Sequence, residues 1–524
     1  MAPGPHPMVA TRLLMYKEWV PRRLRFWLIV TFALMFQLTG GVYLAALSQM
    51  VGQLAFISED VTMASYCSLI GLNMFFPIAF RWKFFFFTRQ IWFVAAGVEI
   101  ACAVLAPCVT APWMLWGICL VAGYFKMVGM FGCMSTIQLN ITPTRNFAVF
   151  FPVVYVLVCG SIQISGIITA YVTYFSEWTN IYAVIVGLML VVEGCAYYLM
   201  KPDHRQGPFV PLRGIDWTGH VLWTALCVSA CWIFNFGEHY DWWESSQIWR
   251  STWLSLALLA AAVAWSAHKG EKAYMQLQSF GYATTWNLIV VIMLLMLIQS
   301  AAHVLQPVML NAIVGYDYFT IVELNYPELF GIVMGAIFAY YSLVRLKWSI
   351  RSYIFMVFTL ATFYVVALYF MIDPSTEAWL LYIPMFAFGM AEVMMESVAT
   401  YVLSQYIPFP HFFQNITIIG FARCGVGTAA MAAVVERMFA WACSKHELLT
   451  AEDVALNPAE FLMNASQYLA QQHIMLALKE CFGYLAIVGV MSMLLVLSYR
   501  YRSLPQQLLP RMIDVAHWFK RARV

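Results

Sequence analysis

Fourteen runs of predominantly apolar residues, near 26–47, 61–80, 90–107, 113–136, 148–172, 179–200, 217–236, 248–267, 286–307, 328–344, 352–372, 378–405, 415–441 and 481–499, constrain this sequence more than any motif in it. Each approaches the roughly 20 residues with which a helix crosses about 30 Å of hydrocarbon. A helix is also the one single segment that satisfies its own backbone hydrogen bonds inside a bilayer. Composition agrees: charged residues make up 10% of the 524 positions, against about 25% in a soluble domain. So few charges cannot cover a soluble surface of this size. The expectation is an all-α integral membrane protein with 14 transmembrane helices.

Lys and Arg set the orientation, because short cytoplasmic loops are enriched in them. With the N-terminus inside, the basic side holds Arg12, Lys17, Arg22, Arg23, Arg25, Arg81, Lys83, Arg89, Arg145, Lys201, Arg205, Arg213, Lys269, Lys272, Arg345, Lys347 and Arg351. The C-terminal tail adds Arg500, Arg502, Arg511, Lys520, Arg521 and Arg523. The alternate loops carry Glu59, Asp60, Glu177, Glu238, Asp241, Glu244, Asp317, Glu323, Glu328, Asp373 and Glu377. An even number of spans keeps this alternation unbroken and puts both termini in the cytoplasm. Arg22, Arg23 and Arg25 lead straight into a long apolar run, which reads as a retained first span rather than a cleaved signal. Residues 442–478 form the one soluble-looking stretch on the outer side, and its later half reads as an amphipathic helix leading into the last span. The tail 504–524 mixes Leu508, Met512, Ile513 and Trp518 with basic residues and reads as a helix lying on the anionic inner leaflet, the alternative being a disordered basic tail. The 12 cysteines form no CxxC pair and no metal-spaced array, so neither metal nor cofactor is expected. The basic residues sit in short loops and give no sign of nucleic-acid binding.

Charged groups at bilayer depth cost about 2.5–3.5 kcal/mol each even on the mild insertion scale, so they face a cavity or a partner. Here they are Glu99, Lys126, Glu193, Glu392, Glu396 and Arg423. Glu392 and Glu396 are four residues apart, on one helical face that Thr400 continues. Two carboxyls that close do not both ionise easily, which suits a proton site. The alternative is a structural pair neutralised by Lys126 or Arg423. Gln299, His303 and Gln306 follow i, i+4, i+7 spacing, and read either as a cavity wall or as helix–helix hydrogen bonding. Glu193 lies about two turns from Lys201 and can snorkel to the interface. Gly331/Gly335 and Gly425/Gly427 read as close-packing seams. The 31 methionines and abundant Phe, Trp and Tyr suit a pocket for varied apolar or cationic ligands.

The layout resembles the major facilitator superfamily, specifically its fourteen-helix drug:proton antiporter family, the EmrB/QacA type. Asp216-Trp217-Thr218-Gly219 resembles that family's way into span seven, followed by the Asp241-Trp242-Trp243 outer turn. Arg423-Cys424-Gly425-Val426-Gly427 resembles its span-thirteen seam, and Gln471-Gln472, Ala477 and Phe482 its lead into the last span. There are departures. The basic loop Arg81 to Arg89 lacks the family's glycines and aspartate, and Lys126 stands where an arginine is usual. Span five lacks the glycine–proline signature of antiporters, and Thr39-Gly40-Gly41 stands where an aspartate is common.

The resemblance implies a six-helix bundle over 1–200, a central loop and two inserted helices over 201–285, and a second bundle over 286–503. It implies a cavity lined by spans one, four, nine and twelve, and Lys126, Gln299, His303, Glu392 and Glu396 fall on three of those four. It further implies an inner-membrane secondary transporter exchanging a small amphipathic molecule for protons. Glu392 and Glu396 would bind the proton, Lys126 and His303 would tune them, and Arg423 would brace the seam. Family members also work with a periplasmic adaptor and an outer-membrane channel, for which 442–478 would be the docking surface. The rival expectations are a transporter of one metabolite, such as a siderophore or lipid-like molecule, and a membrane redox subunit. The histidine spacing disfavours the latter.

Overall fold

The computed structural model describes residues 15–142, 146–205, 207–456 and 465–498. The basic tail 504–524 lies outside the described residues. A 17-residue helix, α1 (Arg22–Leu38), comes first. It is followed by α2 (Ser58–Phe85), α3 (Thr88–Cys108), α4 (Pro112–Gln138), α5 (Phe147–Phe175), α6 (Asn180–Leu199), α7 (Trp217–Phe236) and α8 (Ser246–Lys272). Then come α9 (Ala283–Val314), α10 (Tyr318–Arg345), α11 (Ile350–Phe370), α12 (Ala378–Tyr406), α13 (Phe409–Leu448) and α14 (Gln471–Ser498). Among the described residues, 13 helices, α2 to α14, are long and apolar enough to cross a membrane. The protein is a multi-pass, all-helical membrane protein.

Local chemistry sets several boundaries. Asn146, Ser245 and Ser349 accept backbone N–H groups at the starts of α5, α8 and α11. Asp216 caps α7 by accepting the Gly219 N–H at 3.1 Å. The same carboxylate accepts the Trp265 indole at 2.9 Å and the Tyr274 N–H at 3.1 Å, tying α7 to the far end of α8. In α9, Pro307 lacks an N–H, and π-helical turns flank it at Ala301–Leu305 and Met309–Val314.

Three expectations need correction. The thirteenth run begins at Phe409 and is broken: one piece ends at Arg423, the next starts at Val426, and Gly425 between them takes φ +97°. That left-handed conformation is accessible to glycine and strained for other residues. In the stretch 442–478 the first half is helical too, α13 running on to Leu456, while the helix expected for the later half starts at Ala465. Glu480 of α14 clamps the first half, accepting Lys445 Nζ at 2.7 Å and pairing with His446 at 2.8 Å. Finally, α10 begins ten residues before its apolar run, so Glu328 is inside a helix and 5% exposed rather than in an outer loop. Residues 318–327 are too polar and aromatic to register as an apolar run.

Packing falls into two matching sets. In the first, α2 lies on α4, α3 on α4 and α6, and α1 on α4. In the second, α10 lies on α12, α11 on α12 and α14, and α9 on α12. The match extends to single residues. A Cβ on Gly71 would collide with the Leu120 carbonyl, and one on Gly123 with the Ser68 carbonyl. Likewise Gly331 meets the Phe386 carbonyl and Gly389 that of Glu328. Lys126 and Glu392 each follow the second glycine of their seam by three residues, and so occupy equivalent positions. Between the sets, α5 lies against α10 and α12, and α13 against α2. Helix α7 packs on α2 and α13, and α8 on α7.

Candidate functional site

Four helices meet around the carboxyl face of α12. The four-residue spacing of Glu392, Glu396 and Thr400 presents all three to α5 and α13. Glu396 forms an ion pair with Arg423, the last residue before the break in α13. The Arg423 guanidinium also donates to the Tyr155 hydroxyl of α5 at 2.9 Å and lies 5.4 Å from its ring centroid. That hydroxyl shares a 2.6 Å hydrogen bond with Thr400. Thr400 donates in turn to the Glu396 carbonyl at 2.9 Å. Of the two cations weighed from sequence, Arg423 is therefore the partner of Glu396.

A third carboxyl completes the cluster. Glu328 of α10 packs on Gly389, within electrostatic reach of Glu392. It accepts a 2.5 Å hydrogen bond from Gln163 Nε2 of α5. Glu392 lies beside Cys159 of α5. Of these three carboxyl groups only Glu396 is ion-paired among the described residues, so protons or a cationic ligand must balance the remaining charge. Sequence reasoning missed Glu328, Gln163, Tyr155 and Cys159. The legible signal was the polar trio Ser161, Gln163 and Ser165 in an otherwise apolar run.

The other candidates divide. Lys126 is not part of this cluster: its Nζ donates to the Thr39 carbonyl at 2.8 Å, a group freed by the end of α1, and it faces Glu99 of α3. Glu99 is 2% exposed, with one carboxyl oxygen lacking a hydrogen-bond partner. Gln299, His303 and Gln306 do not share one face. The π-turn at Ala301–Leu305 adds a residue per turn and re-aims His303, which is exposed while both glutamines are buried. Gln306 accepts the Tyr364 hydroxyl of α11, and Gln299 Nε2 is buried without a partner. Gly427 abuts the Ala422 carbonyl and Gly425 takes the positive φ, so both glycines serve the break within α13. Gly331 and Gly335 are a close-packing seam against α12. Among the described residues no cluster of His, Cys, Asp and Glu is arranged to hold a metal.

Aromatic contacts close the bundle across the two sets of helices. At the basic end, Phe80 of α2 stands 4.7 Å from Phe413 and 5.6 Å from Phe409, both of α13. Phe131 of α4 reaches Phe413, and Phe147 of α5 reaches Phe412, each at 6.0 Å. At the acidic end, the Tyr318 hydroxyl donates to the Ala45 carbonyl at 2.6 Å, and Phe319 meets Tyr174 at 4.5 Å.

No family model matches the sequence, and no curated protein matches it. Solved structures do match. The nucleoside transporter NupG aligns with TM-score 0.54 at 11% identity, over 90% of this chain and 98% of its own. A bacterial homologue of the human drug peptide transporters PepT1 and PepT2 gives 0.54 at 13% identity, over 91% and 98%. Tetrameric PepTSo2 gives 0.56 at 13% identity, over 96% and 100%. Agreement over nearly the full length of each chain, at such low identity, is agreement of fold. This chain shares its fold, the major facilitator fold, with the nucleoside transporter NupG and the bacterial peptide-transporter homologue.

Proposed function

We propose that this protein is a proton-coupled secondary transporter that exports amphipathic organic compounds across the inner membrane by alternating access. The observation that carries the reading is the cluster of Glu328, Glu392 and Glu396, the last paired with Arg423, where α5 meets α10, α12 and α13. Carboxyls are costly at bilayer depth and mark proton or substrate pathways. In this reading α1 is a further span, giving fourteen, and both termini are cytoplasmic. Residues 1–200 and 286–503 form the two moving bundles, and 201–285 carries the inserted pair. Glu392 is the principal proton acceptor, because Glu396 is committed to Arg423, which braces the seam. Lys126, Gln299, His303, Gln306 and Thr400 contribute to the cavity wall. The Met- and aromatic-rich interior, together with the Asp216 and Arg423 motifs, supports the drug-exporting, EmrB/QacA-like form of this reading. A second reading, transport of one defined metabolite, is favoured by the neighbours named for nucleosides and peptides.

The test is dye and drug uptake into inverted membrane vesicles energised by a pH gradient. Uptake should collapse with an uncoupler, and Glu392→Gln should lower it at least about tenfold, as expected for loss of a group that takes part in proton transfer. Glu396→Gln should also lose uptake, with lower thermal stability, since it strands a buried guanidinium. Uptake that ignores both the uncoupler and Glu392→Gln would sink proton coupling, and no uptake across a broad panel would select the single-metabolite reading. The helical extensions of α13 and α14 would dock a periplasmic adaptor. Shortening them should abolish export from whole cells yet spare uptake by vesicles, and unchanged export would remove the adaptor.

A further inference from the structure

We propose that Glu328 is a further coupling carboxyl, and that its hydrogen bond from Gln163 is the contact through which proton binding acts on the interface between the two sets of helices. The inference rests on the proton-coupled reading above. It begins with location. Gln163 belongs to α5 and Glu328 to α10, so the 2.5 Å bond crosses from one set to the other. The helices come unusually close there: Gly160 faces Leu329, and a Cβ on Gly166 would stand 2.8 Å from the Asn325 amide.

The groups around Glu328 determine what its bond can report. From α12, Glu392 faces it, with Glu396 one turn further. From α5 come Gln163 and, lower on the same helix, Cys159 and Tyr155. From α11, Tyr364 lies within electrostatic reach, its hydroxyl spent on Gln306 of α9. From α13, Arg423 is engaged by Glu396 and Tyr155. Among the described residues no cation faces Glu328, and the Gln163 amide N–H is the hydrogen bond given to its carboxyl. Such a bond is markedly stronger to an ionised acceptor than to a neutral one. Ionised Glu328 therefore holds α5 to α10, and a proton on Glu328 loosens that hold. Linkage runs both ways: whatever parts α5 from α10 favours the proton. Alternating access requires such a coupling between proton occupancy and the inter-set contact. Glu328 supplies the titrating group, and Gln163 is its positioning residue.

The reading can be tested without a known substrate. The full-length protein in lipid nanodiscs is followed by hydrogen–deuterium exchange at pH 5.5 and 8, corrected for intrinsic exchange. Wild type should show several-fold greater protection of α5 and α10 peptides at the higher pH. Glu328→Gln, which keeps shape but cannot ionise, should stay at the low-pH level at both values. Gln163→Leu should do the same, and serves if the first variant fails to fold. Retention of the pH step by either variant, or its absence from wild type, would overturn the proposal. Vesicle uptake by Glu392→Gln bears on the transporter reading and not on this bond, so the two can fail separately.

Discussion

At the residue scale, the opposite charges of Glu99 and Lys126, set within electrostatic reach of each other in the first set, are the sharpest case. Lys126 compensates Glu99 and caps the chain at Thr39, so removing the cation alone leaves a carboxyl that is 2% exposed without its compensating charge. Breaking a buried pair this way costs about 3–5 kcal/mol, whereas neutralising both members together is often mild. Lys126→Met should therefore sharply lower the melting temperature of the purified protein, and adding Glu99→Gln should restore most of it. Additive losses would show that the two side chains act independently. Glu99, Lys126, Glu392, Glu396 and Arg423 were legible in the sequence because charge within an apolar run is conspicuous. Their pairings were not, because Glu99 and Arg423 find partners on helices that sequence spacing does not bring together. Glu328 escaped for a different reason: it follows Pro327 in the polar opening of α10, where hydropathy reads loop.

At the element scale, the glycine seams make a position-specific claim. Gly123 and Gly331 touch backbone carbonyls of the facing helix, so Ala at either must push α2 from α4 or α10 from α12. Overpacking of this kind costs about 1–3 kcal/mol. Gly187 of α6 has nothing within 4 Å of an added Cβ. There Ala should be neutral or stabilising by up to about 1 kcal/mol, from helix propensity alone. Thermal denaturation of the three variants separates the cases, and equal effects would refute the seam as the cause. The helices themselves were legible from apolar run length, and the start of α7 also from the Asp216-Trp217-Thr218-Gly219 resemblance, whose aspartate the structure shows as the cap. The break at Cys424–Gly425 and the π-turns around Pro307 were not. Each leaves the apolar pattern intact while shifting backbone register, and that shift is why His303 parts from Gln299 and Gln306.

At the scale of the whole molecule, the two sets share their packing but not their chemistry. Ser68 stands where Glu328 does, and Lys126 where Glu392 does, so the repeat is hidden from sequence comparison yet plain in the seams. A pair of similar bundles joined through α5 and α13 can rock, and the contacts that must break are those across the sets. At the basic end these are rings: Phe413 touches Phe80 and Phe131, with Phe409 and Phe412 alongside. Each aromatic pair is worth about 0.5–1.5 kcal/mol beyond its buried area, a barrier large enough to hold and small enough to cycle. Cys424 lies eleven residues beyond Phe413, about 16 Å along a helix, next to Arg423 and partly buried. In inverted vesicles, Phe413→Ala should let a membrane-impermeant maleimide reach Cys424 about tenfold faster than in wild type, the change expected from losing about 1.4 kcal/mol of closure. Cys424→Ser supplies the background, and Cys108, exposed at the opposite end of α3, should stay unlabelled while the vesicles remain sealed. Equal labelling in wild type and variant would mean that the phenylalanines fill the basic end without closing it, and the barrier would then fall to the Glu396–Arg423–Tyr155 layer beneath them.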